Sequence, residues 1–402
     1  MVTVTHRPIR RTATSGLIML VAAAILPGIV SAHSGEPHIP QWYGLIVLLL
    51  GFGVLGATIV LNRWDQIART EHALAGILVG VAIAALGGII IVQLSPIDEY
   101  SANNMPFPRT WYPLISLTVG LGIIVASALL GQLRWPTRPR YAALGILLGS
   151  WIAYPALVRG SAEYFHPAGY VIALAVPLTV GYIVWRDGRD VLAQVWQDTV
   201  ARRFGLGIGA IMLIFFVFST GLVSLVPEEG LMGGQDVMDV PAFIATQPFA
   251  SPLVMWPAVE VWLPQIPLSA AISLGVLLMI LLLGGLVTIT AMLAAYQWRY
   301  TSGSSSAQNT AGAAALVGPN ACGCCGPMFA QLAVVLLGPS AAAPLYWLFV
   351  DFSSPVGSFF FVASVGLLTG GFVYSTNVLS IEQCDVPSQN QSHTIERIES
   401  TD

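Results

Sequence analysis

The sequence predicts an all-α fold: a polytopic integral membrane bundle of transmembrane helices. Hydrophobic residues make up 55% of the 402 residues and charged residues only 9%, whereas soluble domains carry roughly 25% charged residues. Apolar runs long enough to cross ~30 Å of hydrocarbon recur along the chain. Together these observations exclude a soluble globular protein and predict the lipid bilayer as the surrounding medium.

Residues 1–32 have the three parts of a signal peptide. Arg7, Arg10 and Arg11 precede an apolar stretch, and Val30-Ser31-Ala32 is a small-residue cleavage pattern. We therefore predict cleavage after Ala32, which makes His33 the first residue of the mature chain. The alternative interpretation is that 1–32 stays in place as a first transmembrane helix.

Beyond residue 32 the sequence predicts about nine transmembrane helices, or ten if the first segment is retained. The uninterrupted spans within the bundle 33–300 are 42–61, 73–94, 112–133, 141–158, 168–185, 204–226 and 268–296. The segment 301–378 adds one crossing that is interrupted at its cysteines and one return at 357–378. The tail 379–402 is polar.

Arginine positions predict the orientation of these spans. With the residue 33 end outside, 11 arginines fall on the inner side and only Arg109 and Arg159 on the outer side, as the positive-inside rule requires. The sequence thus predicts a multi-pass protein of the cell membrane, with its mature N-terminus outside and the tail 379–402 cytoplasmic.

Two segments between spans have their own character. Residues 227–267 are acidic and proline-rich and are predicted to form an outer loop. Residues 186–203 are charged, with apolar residues at helical spacing, and are predicted to form a helix lying on the inner membrane surface.

Composition also excludes several mechanisms. The chain has no Lys, which removes lysine Schiff-base chemistry and the P-loop lysine. No predicted span contains a His in its interior, so axial haem ligation is not expected. The net charge of −4 argues against a nucleic-acid partner.

Three cysteines cluster in the segment GPNACGCCGP at 318–327, between two Gly-Pro pairs that interrupt the helix. Pro327 suits the first turn of a new helix, and a helix N-terminus stabilises thiolates. Thiolates bind soft ions, Cu(I) first. The sequence therefore predicts metal ligands at Cys322, Cys324 and Cys325, in the inner third of the bilayer or at its inner surface. The alternative is that these cysteines are small apolar residues that allow close helix packing.

The run CysCysGlyProMet at 324–328 resembles the vicinal-cysteine helix of mercuric-ion transport membrane proteins. The resemblance covers about 30 residues and implies that Cys324 and Cys325 would accept a metal ion within the membrane.

Three histidines fall on the predicted outer side: His33, His38 and His166. A mature N-terminus at His33 would offer an α-amine and an imidazole to one ion, a ligand pair well suited to copper. Three methionines of the outer loop could add thioether ligands: Met232, Met238 and Met255. The alternative is that these histidines are solvated loop residues with no ligand role.

The sequence thus favours a membrane protein that handles a soft metal ion, with copper transport or delivery as the first hypothesis. The second hypothesis is a structural or assembly subunit of a larger membrane complex, with membrane-protein partners or a homo-oligomer and no metal transport. A redox enzyme is a third interpretation, but no substrate or cofactor site is identified for it, so a non-enzymatic role is favoured.

Overall fold

A computed structural model describes most of the apolar part of the chain. The described residues are 41–64, 70–94, 108–158, 165–225, 241–250, 253–263, 268–300, 325–338, 344–345, 348–349 and 354–384. Within them the chain is mostly helical. The helices are α1 (Trp42–Arg63), α2 (Thr70–Gln93), α3 (Tyr112–Arg134), α4 (Pro139–Leu157), α5 (Pro167–Gln197), α6 (Thr199–Ser219), α7 (Leu274–Tyr300), α8 (Cys325–Leu337) and α9 (Pro355–Cys384).

Seven helices of the described residues are long and apolar enough to cross a membrane: α1, α2, α3, α5, α6, α7 and α9. This confirms a multi-pass helical membrane bundle but not the predicted number of nine or ten spans. The predicted span 141–158 is helical as α4, yet it is less apolar than these seven. Within the predicted interrupted crossing, the structure describes one long helix, the 13-residue α8.

Antiparallel helix pairs build the bundle, and small residues let their backbones approach closely. In the α1–α2 pair, a Cβ placed on Gly51 would lie 2.6 Å from the Cα of Ala84. In the α3–α4 pair, a Cβ on Gly120 would lie 2.7 Å from the carbonyl oxygen of Gly149. Such seams need no polar group, which suits helices surrounded by lipid.

A four-stranded antiparallel sheet lies at one end of the bundle, which we call the sheet end. Its strands are β1 (Val223–Leu225), β2 (Phe243–Ala250), β3 (Met255–Leu263) and β4 (Leu268–Ser273), in the order β1-β4-β3-β2. The predicted outer loop 227–267 therefore contains β2 and β3. The predicted span 268–296 starts as a strand and becomes helix only at Leu274, and the span 204–226 ends its helix at Ser219.

The opposite end, which we call the arginine end, is where α1, α3 and α7 finish and where α2, α4 and α6 start. The segment 186–203 forms no separate surface helix there. Instead α5 runs on without a break to Gln197, and α6 begins after the single residue Asp198. Val191 and Val195, whose spacing suggested a membrane-facing side, are buried in a cluster with residues of α6, α7 and α9.

Candidate metal centre

The structure describes only part of the predicted ligand set. His33, His38, Cys322 and Cys324 lie outside the described residues, as do Met232 and Met238. Cys325 is the first residue of α8, and His166 directly precedes α5. Among the described residues no three His, Cys, Asp or Glu side chains come together as a metal-binding group.

His166 is the N-cap of α5. Its Nδ1 atom accepts a hydrogen bond from the Ala168 amide at 3.3 Å, and Pro167 occupies the first helical position, where its missing N–H is not needed. Because Nδ1 acts as the acceptor, a neutral ring carries its proton on Nε2. A metal on either nitrogen of His166 would therefore disrupt the cap, either by taking Nδ1 directly or by moving the proton to it.

The hairpin between β2 and β3 reaches the same corner of the bundle. The Tyr170 hydroxyl donates to the Met255 carbonyl oxygen, and a Cβ on Gly169 would lie 2.7 Å from the Tyr154 hydroxyl. The rings of Tyr154 and His166 are 6.4 Å apart. Of the predicted outer ligands, the structure thus brings His166 and Met255 to the first turn of α5.

The depth of α8 differs from the prediction for the cysteine segment. A Cβ on Gly88 of α2 would lie 3.1 Å from Met328 Sδ. One turn further on, Gln331 accepts a hydrogen bond at 3.1 Å from Gln41 Nε2, which also donates to the Ile91 carbonyl at 2.7 Å. These contacts show that α8 runs parallel to α2, in register with its last two turns.

This register fixes the level at which α8 begins. Met328 lies level with Gly88. Cys325 precedes Met328 by three residues, about 4.5 Å at 1.5 Å per residue. Gly88 in turn precedes Gln93, the last residue of α2, by five residues, about 7.5 Å. The backbone of Cys325 therefore lies ~12 Å below the sheet end of α2, a helix of 24 residues or about 36 Å. Cys325 thus lies in the half of the bundle nearer the sheet, whereas the sequence analysis places the cysteine segment toward the side that carries the arginines.

The sequence analysis did not identify the glutamine side chains that connect helices and strands at the sheet end. Gln93 donates through Nε2 to the carbonyl oxygens of Phe218 (2.8 Å) and Val223 (3.2 Å), and its Oε1 accepts from the Leu225 amide at 2.8 Å. It thereby ties α2 to the end of α6 and to β1. The sequence signal was present, because Gln93 and Gln331 interrupt apolar runs where an unpaired amide would be costly.

Ion pairs join helices at the arginine end. Arg140 of α4 binds Asp187 of α5 through two hydrogen bonds, one of them 2.8 Å from Nε to Oδ2, and the Tyr141 hydroxyl donates to the same carboxylate at 3.0 Å. Asp198 accepts from Arg299 Nη1 at 2.6 Å and from the Tyr300 hydroxyl at 2.9 Å. Sequence reasoning had used these arginines only to orient the chain.

Asp198 is also the N-cap of α6, since its Oδ1 accepts from the amides of Val200 and Ala201, both at 2.9 Å. Burial of the Asp198 carboxyl raises its pKa. The Ala201 amide, the Tyr300 hydroxyl and the Arg299 guanidinium more than offset that effect and hold the pKa below its usual range. The side chain is only 6% exposed, so this carboxylate is a buried anion with a complete set of partners.

Comparison of the chain with family models, with curated proteins and with solved structures finds no match.

Proposed function

We propose that the chain transports a soft metal ion, copper, across the membrane or delivers it there. The observation that carries the proposal is α8: a half-length helix that begins with a cysteine in the sheet-end half of the bundle, packed against α1, α2 and α6. Broken helices whose ends lie at membrane depth are the usual place for ion sites in transporters.

The chemistry of the cysteine segment supports copper. Cys322, Cys324 and Cys325 would supply two or three thiolates, a donor set and coordination number that suit Cu(I) better than a four-ligand zinc site. The N-terminus of α8 would favour the thiolate form of the adjacent cysteines. The resemblance of 324–328 to the vicinal-cysteine helix of mercuric-ion transport proteins points to the same use of the segment.

His33 and His38 are the proposed capture ligands outside the membrane. His166 would join them only by exchanging its capping bond for the metal, a loss of about 1 kcal/mol. This competition makes His166 the weakest member of the proposed set.

The proposed topology is a cleaved signal peptide at 1–32 followed by nine spans, with α4 and the α8 segment completing the seven more apolar helices. Nine of the ten described arginines lie at the arginine end, and only Arg109 lies at the sheet end. This distribution supports a cytoplasmic arginine end, with the mature N-terminus outside in the cell membrane.

The test is metal analysis of the purified protein combined with N-terminal sequencing. We expect copper near one equivalent per chain, lost in Cys322→Ser/Cys324→Ser/Cys325→Ser. The matched control is Cys384→Ser, which removes the remaining cysteine at the end of α9 and should keep the metal. A triple variant that binds and transports copper like the parent would overturn the proposal.

The second candidate is a structural or assembly subunit of a larger membrane complex. It is favoured by α3, since only 17% of its most apolar stretch is buried within the chain, against 50% for α7. Such a face suits a partner helix as well as lipid. Stoichiometric co-purification of other membrane subunits, with no copper, would support this candidate against the first.

A further inference from the structure

The helices at the arginine end stop at different levels. The pair between Arg140 and Asp187 aligns the second residue of α4 with Asp187 of α5. Beyond Asp187, α5 continues for ten residues to Gln197, about 15 Å further. The turn between α3 and α4 therefore forms a ledge beside the projecting part of α5.

The projection is packed on one side only. Val191 and Val195 are buried against α6, α7 and α9, and a Cβ on Gly188 would lie 2.8 Å from the Phe372 ring. Arg186, Arg189 and Asp190 remain exposed. The ledge and the outward side of α5 are thus left open in the described part of the chain.

The ledge is basic. Residues 134–141 carry Arg134, Arg138 and Arg140, and residues 185–190 carry Arg186 and Arg189 with Asp187 and Asp190. Five positive and two negative charges give a local net charge of +3, in a chain whose total is −4. Since Arg140 and Asp187 neutralise each other, the remaining arginines set the sign of the surface.

Exposed apolar stripes lead directly to these arginines. On α5, Leu178, Tyr182 and Trp185 are 73%, 55% and 63% exposed, and at helical spacing they continue to Arg189, whose guanidinium lies 4.8 Å over the Trp185 ring. On α3, exposed Leu129, Leu130 and Leu133 lead to Arg134. An apolar stripe that ends in Arg and Trp matches an acyl chain that ends in a phosphate.

We propose that this ledge binds the headgroup of an anionic phospholipid. The acyl chains lie along the stripes of α3 and α5, and the phosphate lies among Arg134, Arg138 and Arg189. The occupant is a lipid rather than a protein, because the apolar and basic parts meet in one line along the helix axes at the ends of two spans. The proposed contacts need only one phosphate, so a lipid with a single anionic group is sufficient.

The experiment measures lipid retention by native mass spectrometry of the full chain in detergent, titrated with phosphatidylglycerol or phosphatidylcholine. We expect tighter binding of phosphatidylglycerol. Arg134→Gln/Arg189→Gln should weaken it by about fivefold for each arginine. The matched control is Arg63→Gln/Arg203→Gln, which removes the same charge from exposed arginines of the same end and should change the affinity less than about twofold.

Equal affinity for the two lipids would overturn the proposal, as would equal losses in the two double variants. Thermal unfolding of each variant without added lipid separates a binding defect from misfolding, because only a binding defect leaves the midpoint unchanged. A ledge variant that unfolds early is replaced by Arg189→Gln alone, for which a loss below twofold would equally contradict the proposal.

Discussion

The two ends of the bundle are joined in different ways. At the sheet end, neutral amides of Gln41, Gln93 and Gln331 connect helices and strands. At the arginine end, the connections are ion pairs, Arg140 with Asp187 and Arg299 with Asp198. Polar groups thus join the elements at both ends, through neutral amides at the sheet end and through ion pairs at the arginine end.

The difference follows from how much solvent the connecting groups of each end can contact. Arg140 and Arg299 keep 16% and 25% of their side-chain surface exposed, so each pair retains some solvation, which lowers the desolvation cost of the charges. The amides of the sheet end connect α2 and α8 within the outermost turns of apolar helices, where a neutral group costs far less than an ion. Removing one partner leaves an unpaired ion at the arginine end but only an unpaired amide at the sheet end. The free energy of unfolding should therefore fall more for a substitution at the arginine end.

The largest effect is expected for Asp198→Ala. The substitution removes the cap of α6 and leaves Arg299 without its anion, and breaking a pair of this kind destabilises by about 3 kcal/mol. The free energy of unfolding in mixed detergent and dodecyl sulfate measures the loss. Asp198→Asn keeps a capping oxygen but removes the charge, so it should lose less than Asp198→Ala. A negligible loss in Asp198→Asn would show that the charge at this end contributes nothing.

A smaller effect is expected for Gln93→Leu at the sheet end. It leaves the Leu225 amide and two carbonyl oxygens without their partner, a loss of about 2 kcal/mol. The same unfolding measurement tests it, with Gln132→Leu as the control because Gln132 is an exposed glutamine of α3. If Gln93→Leu cost as much as Asp198→Ala, the contrast between charged and neutral connections would fail.

His166→Ala should cost about 1 kcal/mol, the usual contribution of an N-cap. His166→Asn should restore most of that stability, because asparagine is a strong capping residue. The copper content of the two variants tests whether His166 also binds the metal. Because His166 is the weakest member of the proposed ligand set, we expect loss of stability in His166→Ala with little loss of copper in either variant. Loss of most of the copper in both variants would show that His166 is an essential ligand.

The smallest expected effect is a pH dependence confined to the arginine end. The pKa of Asp198 is lower in the folded chain than in the unfolded one. Its stabilisation is therefore fully present above the unfolded pKa of about 3.9 and is lost as the pH falls through the lower folded pKa. Unfolding measured between about pH 6 and pH 3 should show a decline that Asp198→Asn lacks; identical slopes would contradict it.

Several features could be read from the sequence because they depend on local composition. The seven apolar helices overlap their predicted spans, since hydrocarbon thickness fixes the required length, although α5 runs on from its predicted end at residue 185 to Gln197. The sheet was missed although β3 carries a signal: Trp256, Ala258 and Trp262 alternate with more exposed residues. Prolines at 248 and 257 and the acidic residues around the strands gave the segment the composition of a loop.

For the candidate site too, some features could be predicted from the sequence and others could not. The residue types and spacing of Cys322, Cys324 and Cys325 indicate a soft-metal preference without any structure. The level of α8 could not be predicted, because it depends on Met328 meeting Gly88 and on Gln331 meeting Gln41, whose partners lie more than 200 residues away in the chain. Counting the rise from the preceding polar linker instead placed the segment toward the arginine end.

By itself, then, the sequence determined that the chain is a membrane bundle and which end carries the arginines, and it supplied the candidate metal ligands that the proposal uses. Hydropathy and charge decide these properties residue by residue. Only the tertiary structure decided that α5 projects past α4, that a sheet closes onto the first turn of α5, and that His166 caps a helix. The first two features depend on an ion pair and a hydrogen bond between distant segments, and no local pattern specifies such a partner. The His166 cap is a local contact with Ala168 that the sequence analysis did not identify.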